Sequence, residues 1–229
     1  TTPYTFAWSS GATSQTVPLP AGNYTVTSTD ASTCQQTASL VITQPTDIII
    51  AETQTNIKCF GDATGDITLT PSGGTGAIYT YAWNPNGSNS NIASLLTAGT
   101  YNATVTDQAS CTKTITVTLT QPAQPLTINV QSNNISCFGA NNGSITVNTS
   151  GGTAPYSYTW NPNITATNST SNLGPGNYAI TVSDANNCSV NPNVTLTEPS
   201  QPLNLTTSQT DLTCYQSNDG TASVVANGG

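Results

Sequence analysis

Cysteine is the residue type in this chain best suited to do chemistry, and its six copies recur on a fixed period. Cys34, Cys111 and Cys188 are 77 residues apart, and Cys59, Cys137 and Cys214 follow one another at 78 and 77. Thiols at repeated positions point to disulfides, and so to an oxidising compartment. Zinc is the rival, but the chain has no C-x-x-C spacing and no histidine. Three pairings fit the spacing. Bonds within a repeat would join Cys59 to Cys111 and Cys137 to Cys188, with Cys34 and Cys214 finding partners elsewhere. Bonds between sequence neighbours would join Cys34 to Cys59, Cys111 to Cys137 and Cys188 to Cys214. The third pairing joins the first-loop cysteine of one repeat to the late-hairpin cysteine of the next, Cys59 to Cys188. An immunoglobulin topology brings those two loops to facing ends of consecutive domains and sets the two cysteines of one repeat at opposite poles. The within-repeat pairing is still the expectation carried forward, because self-contained domains are commoner.

Carboxylates are the other reactive groups. Asp62 and Asp66 have the look of a glycosidase acid/base pair, but Ala140 and Ser144 stand at the matching places one repeat on. Turn formation accounts for them better. Asp30, Asp107 and Asp184 recur at the end of a late strand and are weighed as calcium ligands. One carboxylate per repeat falls short of the about six to eight oxygens that calcium takes, so an Asx turn capping the hairpin is preferred. Without histidine or arginine, a nucleophilic triad has no base and phosphate chemistry no clamp. The expectation is no enzyme activity and no cofactor, with calcium as the one alternative.

Composition narrows the class further. Charged residues are 5% of the chain, where a soluble domain has about 25%. Lys58 and Lys113 are the only cations and the net charge is −8, which excludes phosphate-neutralising contact with nucleic acid. No apolar run is long enough for a membrane span, so direct membrane insertion is not expected.

These residues are positioned by strands. In the repeat over 123–200, Leu126 to Val130, Ile145 to Val147, Tyr156 to Trp160, Tyr178 to Val182 and Val194 to Leu196 alternate apolar with polar side chains, the period of a half-buried strand. The connection over 161–172 has room for one or two short edge strands. Six or seven short strands in about 77 residues pack best as two antiparallel sheets. Trp8, Trp83 and Trp160 fall on the third strand, where an immunoglobulin-like sandwich keeps its core tryptophan. Tyr24, Tyr101 and Tyr178 follow a glycine by two residues and open a late strand, the place of a tyrosine corner. All six are assigned to the core.

The predicted organisation is the back of one repeat over 1–45, complete repeats over 46–122 and 123–200, and the front of another over 201–229. Prolines mark the linkers at Gln44-Pro45, Gln121-Pro122 and Glu198-Pro199, and extended linkers predict an end-to-end rod. Gly228-Gly229 read on into Thr1 to Trp8 gives GGTTPYTFAW, in register with GGTAPYSYTW over 151–160. The expectation is a window on a longer tandem array.

Three ordered blocks carry a family resemblance: ISCFGANNGSITV over 135–147 with GGTAPYSYTW, GNYAITVSDANNC over 176–188, and VTLTEP over 194–199. They resemble the SprB-type repeat of giant surface adhesins of gliding Bacteroidota, and more broadly PKD-type immunoglobulin-like domains. The resemblance implies a very long protein exported by the type IX system, displayed on the outer surface and moved along the cell for gliding and adhesion. Its implied partners are neighbouring repeats and a surface polysaccharide or substratum. Two other readings compete with a structural stalk: a polysaccharide-binding module, and a fibre subunit whose split end domains complete one another by strand exchange.

Overall fold

A computed structural model describes residues 2–85 and 87–229, so Thr1, one step of the motif read across the two ends, lies outside the described residues. The fold is all-β, a tandem series of immunoglobulin-like antiparallel sandwich repeats. By contact the chain forms two compact units, Thr1–Thr53 with Thr68–Ala93 and Asn102–Thr116, and Gln54–Ile67 with Ser94–Tyr101 and Val117–Gly229.

The first unit contains the sheet made by β1 (Thr5–Trp8), β2 (Gly22–Thr29) and β3 (Gln35–Ile42), in the order β1-β2-β3. Strands β4 (Thr46–Thr55), β5 (Gly65–Gly74), β6 (Thr80–Asn84), β7 (Ile92–Leu96), β8 (Gly99–Thr106) and β9 (Thr112–Leu119) follow, paired as β4-β5-β7 and β6-β8-β9.

The second unit holds the repeat seen most fully. Its strands are β10 (Thr127–Asn133), β11 (Gly143–Ser150), β12 (Ser157–Asn161), β13 (Ser169–Leu173), β14 (Gly176–Ser183), β15 (Ser189–Val190) and β16 (Asn193–Leu196). One sheet runs β10-β11-β13; in the other, β14 is flanked by β12 on one side and by β15 and β16 on the other. This is the immunoglobulin arrangement of first, second and fifth strands against third, sixth and seventh. A single edge strand, β13, occupies the Asn- and Thr-rich connection. The last strand is broken because Pro192 has no N–H to offer the ladder; its carbonyl still accepts from the Ile180 amide at 2.9 Å. A two-stranded hairpin, β17 (Asn204–Thr210) with β18 (Thr221–Asn227), completes the described chain.

Alternation places the core. Ile145 and Val147 of β11 and Leu173 of β13 face Trp160 of β12, Tyr178, Ile180 and Val182 of β14 and Leu196 of β16 in one buried cluster. Trp160 is 2% exposed, and its indole N–H reaches the Thr167 carbonyl at 2.9 Å, so the large ring is buried without stranding its polar atom. Trp83 is buried likewise and donates to the Ser90 carbonyl at 2.8 Å. The Tyr178, Tyr101 and Tyr24 hydroxyls each donate to the carbonyl four residues upstream, on Gly174, Thr97 and Pro20, at 3.0, 2.9 and 3.0 Å. That is tyrosine-corner geometry in every copy.

The core assignment needs correction at the first copy, where Trp8 and Tyr24 are only half-buried. The described part of residues 1–45 forms the single three-stranded sheet β1-β2-β3.

The outer faces carry few charges, among them the exposed Lys113–Asp47 pair at 2.6 Å. Hydroxyls pair across strands where other proteins carry charges: Thr27 with Thr37 (2.9 Å), Thr104 with Thr114 (3.3 Å), Thr127 with Ser150 (2.9 Å) and Thr210 with Thr221 (2.8 Å). Replacing Trp160 with alanine removes the largest core side chain, and chemical denaturation should register a loss of about 3–5 kcal/mol.

Candidate functional site

The one bond that ties distant parts of the sequence covalently is built from two loops of different repeats, both within the second unit. The first loop, leading into β5, is fixed at its root. Ile57 is buried, its amide donates to the Thr120 carbonyl at 2.9 Å, and the Thr120 amide donates back to Asn56 Oδ1 at 2.9 Å. Above that clamp the chain turns at Gly61, whose φ is 84° and whose amide donates to Gln121 Oε1 at 2.9 Å. Cys59 is thereby held on a short, pinned turn. The next repeat builds the same turn around Cys137. The Ile135 amide donates to the Thr197 carbonyl at 2.9 Å, the Thr197 amide to Asn134 Oδ1 at 3.0 Å, and the Gly139 amide to Glu198 Oε2 at 2.6 Å.

The second loop closes the β14–β15 hairpin around Asp184, which is 4% exposed. Asp184 Oδ1 accepts from the Asn186 and Cys188 amides, both at 2.9 Å, and Oδ2 accepts from the Thr153 amide at 2.9 Å. Gly152 makes room for that carboxylate. Its φ is 59°, and a Cβ there would lie 2.7 Å from Asp184 Oδ2. Asn187 takes a φ of 66° to bring Cys188 round.

Cys59 and Cys188 form a disulfide with a Cα–Cα distance of 5.7 Å, closing a sequence separation of 129 residues. Asn186 Nδ2 donates to the Lys58 carbonyl and to Thr153 Oγ1, both at 3.0 Å, so an amide side chain laces the two loops beside the bond. Phe60, Pro125, Leu126 and Val190 line a shallow groove next to it.

The within-repeat expectation is overturned by this bond. In the 123–200 repeat the Cys137 loop is anchored on Thr197, just past β16, and β16 ends opposite Gly176 at the start of β14. Cys188 follows the far end of the same strand. The ends of this eight-residue strand lie about 23 Å apart, and disulfides need Cα atoms within about 7 Å. Cys34, Cys111, Cys137 and Cys214 are free thiols, all exposed.

The calcium candidates are turn caps by geometry. Asp107 repeats the Asp184 pattern, with Oδ1 on the Ala109 and Cys111 amides at 2.9 and 2.8 Å and Oδ2 on the Thr75 amide at 2.8 Å. Asp30 Oδ1 takes the Ser32 and Cys34 amides at 2.8 and 2.9 Å. Among the described residues no three His, Cys, Asp or Glu side chains cluster as metal ligands. The Thr75 amide first, then those of Cys111 and Ala109, hold the Asp107 carboxyl below the ordinary carboxylate range, against partial desolvation.

Sequence reasoning missed the latches, Asn56 and Asn134 at the loop roots and Gln121 and Glu198 over the glycines. The signal was present. The Gln-Pro and Glu-Pro steps recur, but as linker marks they hide a side-chain role.

The family model described as SprB repeat matches residues 51–88 and 129–165. Each match takes in a first-loop cysteine and a core tryptophan, and ends before the tyrosine corner and late hairpin. No curated protein matches the chain. Among solved structures, the N-terminal eight immunoglobulin domains of Down Syndrome Cell Adhesion Molecule isoform 1.30.30 align over 84% of this chain and 32% of that one, at 10% identity and TM-score 0.36. The N-terminal four immunoglobulin domains of Dscam1 isoform 6.44 align over 85% and 64%, at 13% identity and TM-score 0.28. The chain spans less than two thirds of either. Two stretches of the chain, one in each complete repeat, are thus similar to the SprB repeat.

Two outcomes are expected. Reduction, or Cys59→Ser, removes a closure of 129 residues, and the stability lost in chemical denaturation should approach about 4–5 kcal/mol. The Asp107 contribution is full above the ordinary carboxyl value of 3.8 and is lost as pH falls below it towards the lowered folded value, so an acid melt of Asp107→Asn should lose part of the wild-type decline in that window.

Proposed function

We propose that this stretch of SprB repeats is a load-bearing stalk segment of a long adhesin, displayed on the outer surface of a gliding bacterium and carried along it against a substratum. Its complete repeats are 46–122 and 123–200. The observation that carries this reading is the Cys59–Cys188 bond between consecutive repeats. Tension applied along the chain enters at one sulfur and leaves at the other. The residues between them, with the strands from β5 to β14, are bypassed by a covalent link.

A polar, weakly charged exterior with neutral hydroxyl pairs supports a role in which the stalk itself holds no ligand. The acid-base pair first considered for catalysis, Asp62 and Asp66, has no counterpart one repeat on, and a mechanical, non-enzymatic role fits the SprB match. Export across the outer membrane fits a disulfide-bonded chain, since such bonds persist in oxidising surroundings.

Single-molecule pulling tests the reading. With the disulfide intact, the stretch between Cys59 and Cys188 should stay hidden at forces that unfold a free sandwich. Reduction should release up to about 450 Å of extra contour from a separation of 129 residues. Equal contour lengths with and without reductant would overturn the load-bearing role.

A further inference from the structure

Every free cysteine sits in a loop built like one half of the Cys59–Cys188 bond. Cys137 and Cys214 stand where Cys59 does. In the three loops the amide three residues on, from Asp62, Ala140 and Ser217, donates to the cysteine carbonyl at 3.2, 3.0 and 3.1 Å. The residue before that donor takes a positive φ of 84° at Gly61, 72° at Gly139 and 63° at Gln216. An exposed aromatic, Phe60, Phe138 or Tyr215, follows each cysteine. Gln216 holds the left-handed turn without being glycine, so the loop geometry persists where the sequence departs.

Cys34 and Cys111 stand where Cys188 does. The Asp30, Asp107 and Asp184 amides donate to the carbonyls of Cys34, Cys111 and Cys188, all at 3.0 Å. Thr33, Ser110 and Asn187 share a φ of 66°. What differs is the lacing side chain: Ala109 and Ser32 occupy the place of Asn186, so the Asn186 bond to Lys58 belongs to one junction and the backbone loop is common to all.

The formed bond defines a rule, first-loop cysteine to the late-hairpin cysteine of the following repeat. Under it Cys137 and Cys214 require a late-hairpin cysteine one repeat further on, and Cys34 and Cys111 a first-loop cysteine one repeat back. None of those four positions falls among the 229 residues. We propose that Cys34, Cys111, Cys137 and Cys214 are covalent docking sites for other repeats of this kind, two presenting the late-hairpin half of a disulfide and two the first-loop half. The partner is recognised by its complementary cysteine loop.

Bond formation is thiol–disulfide exchange with a small disulfide oxidant such as oxidised glutathione. One protein thiolate attacks the oxidant, forms a mixed disulfide and expels one glutathione thiolate. The partner cysteine thiolate then attacks the protein sulfur of that mixed disulfide and expels the second. The two cysteines lose two electrons and two protons, and the oxidant becomes two reduced glutathiones. This pairing stands on the Cys59–Cys188 bond and not on the stalk role, so the two fail separately.

Disulfide mapping decides it. The protein is isolated without reductant, its thiols are trapped with iodoacetamide, and its digest is read by mass spectrometry with and without reduction. The expected result is loss of alkylation at all four free cysteines, each found linked to a cysteine of the opposite loop type. Links of Cys34 to Cys137 and of Cys111 to Cys214 identify the partner as a second copy of this chain. Links to a matching loop of different sequence identify it as a further repeat outside these residues. Alkylated thiols at the four positions, like-with-like links such as Cys34–Cys111, or within-repeat links such as Cys137–Cys188 would overturn it.

Discussion

A carboxylate with both oxygens engaged by backbone amides is the interaction on which the rest of this structure depends. Asp184 is buried beneath its own hairpin, joins that hairpin to the Gly152–Thr153 turn of the opposite layer, and sets the direction in which Cys188 leaves the sheet. A buried charge is costly unless it is fully hydrogen-bonded. Three amides meet that demand here, and among the described residues no buried side-chain polar atom lacks a partner. Without the cap the cysteine would not be presented at a fixed angle, and a disulfide tolerates little error in approach.

The opposite face of the junction solves a similar problem with neutral groups. Asn56 and Gln121 anchor the Cys59 loop to the segment that leaves the same repeat, so the loop and the linker move as one piece. The linker prolines then matter less as stiff spacers than as the frame that carries Gln121 and Glu198 over the glycines. The disulfide and the Asn186 bonds beside it join the two loops within the second unit.

Much of this was legible in the residues. Strict alternation marked β10, β11, β12, β14 and β16, but neither β13, for which there was only room, nor β15. The glycine-to-tyrosine spacing pointed to a corner seen in all three copies. The broken last strand could have been read from Pro192. What the residues could not convey was which cysteines meet, because that depends on which end of an eight-residue strand each loop occupies, a matter of topology and not of spacing. Immunoglobulin topology already set Cys137 and Cys188 at opposite poles, and the preference for self-contained domains outweighed that warning wrongly.

The hydroxyl pairs on the outer faces carry one more consequence. Thr27 with Thr37, Thr104 with Thr114 and Thr210 with Thr221 hold neighbouring strands by neutral hydrogen bonds in a chain with only two cations. Ion pairs weaken as dissolved salt shortens the Debye length from about 30 Å at 0.01 M to about 3 Å at 1 M. Neutral pairs have no such screening length. These strand pairings are therefore insensitive to salt, whereas the exposed Lys113–Asp47 pair weakens as salt rises.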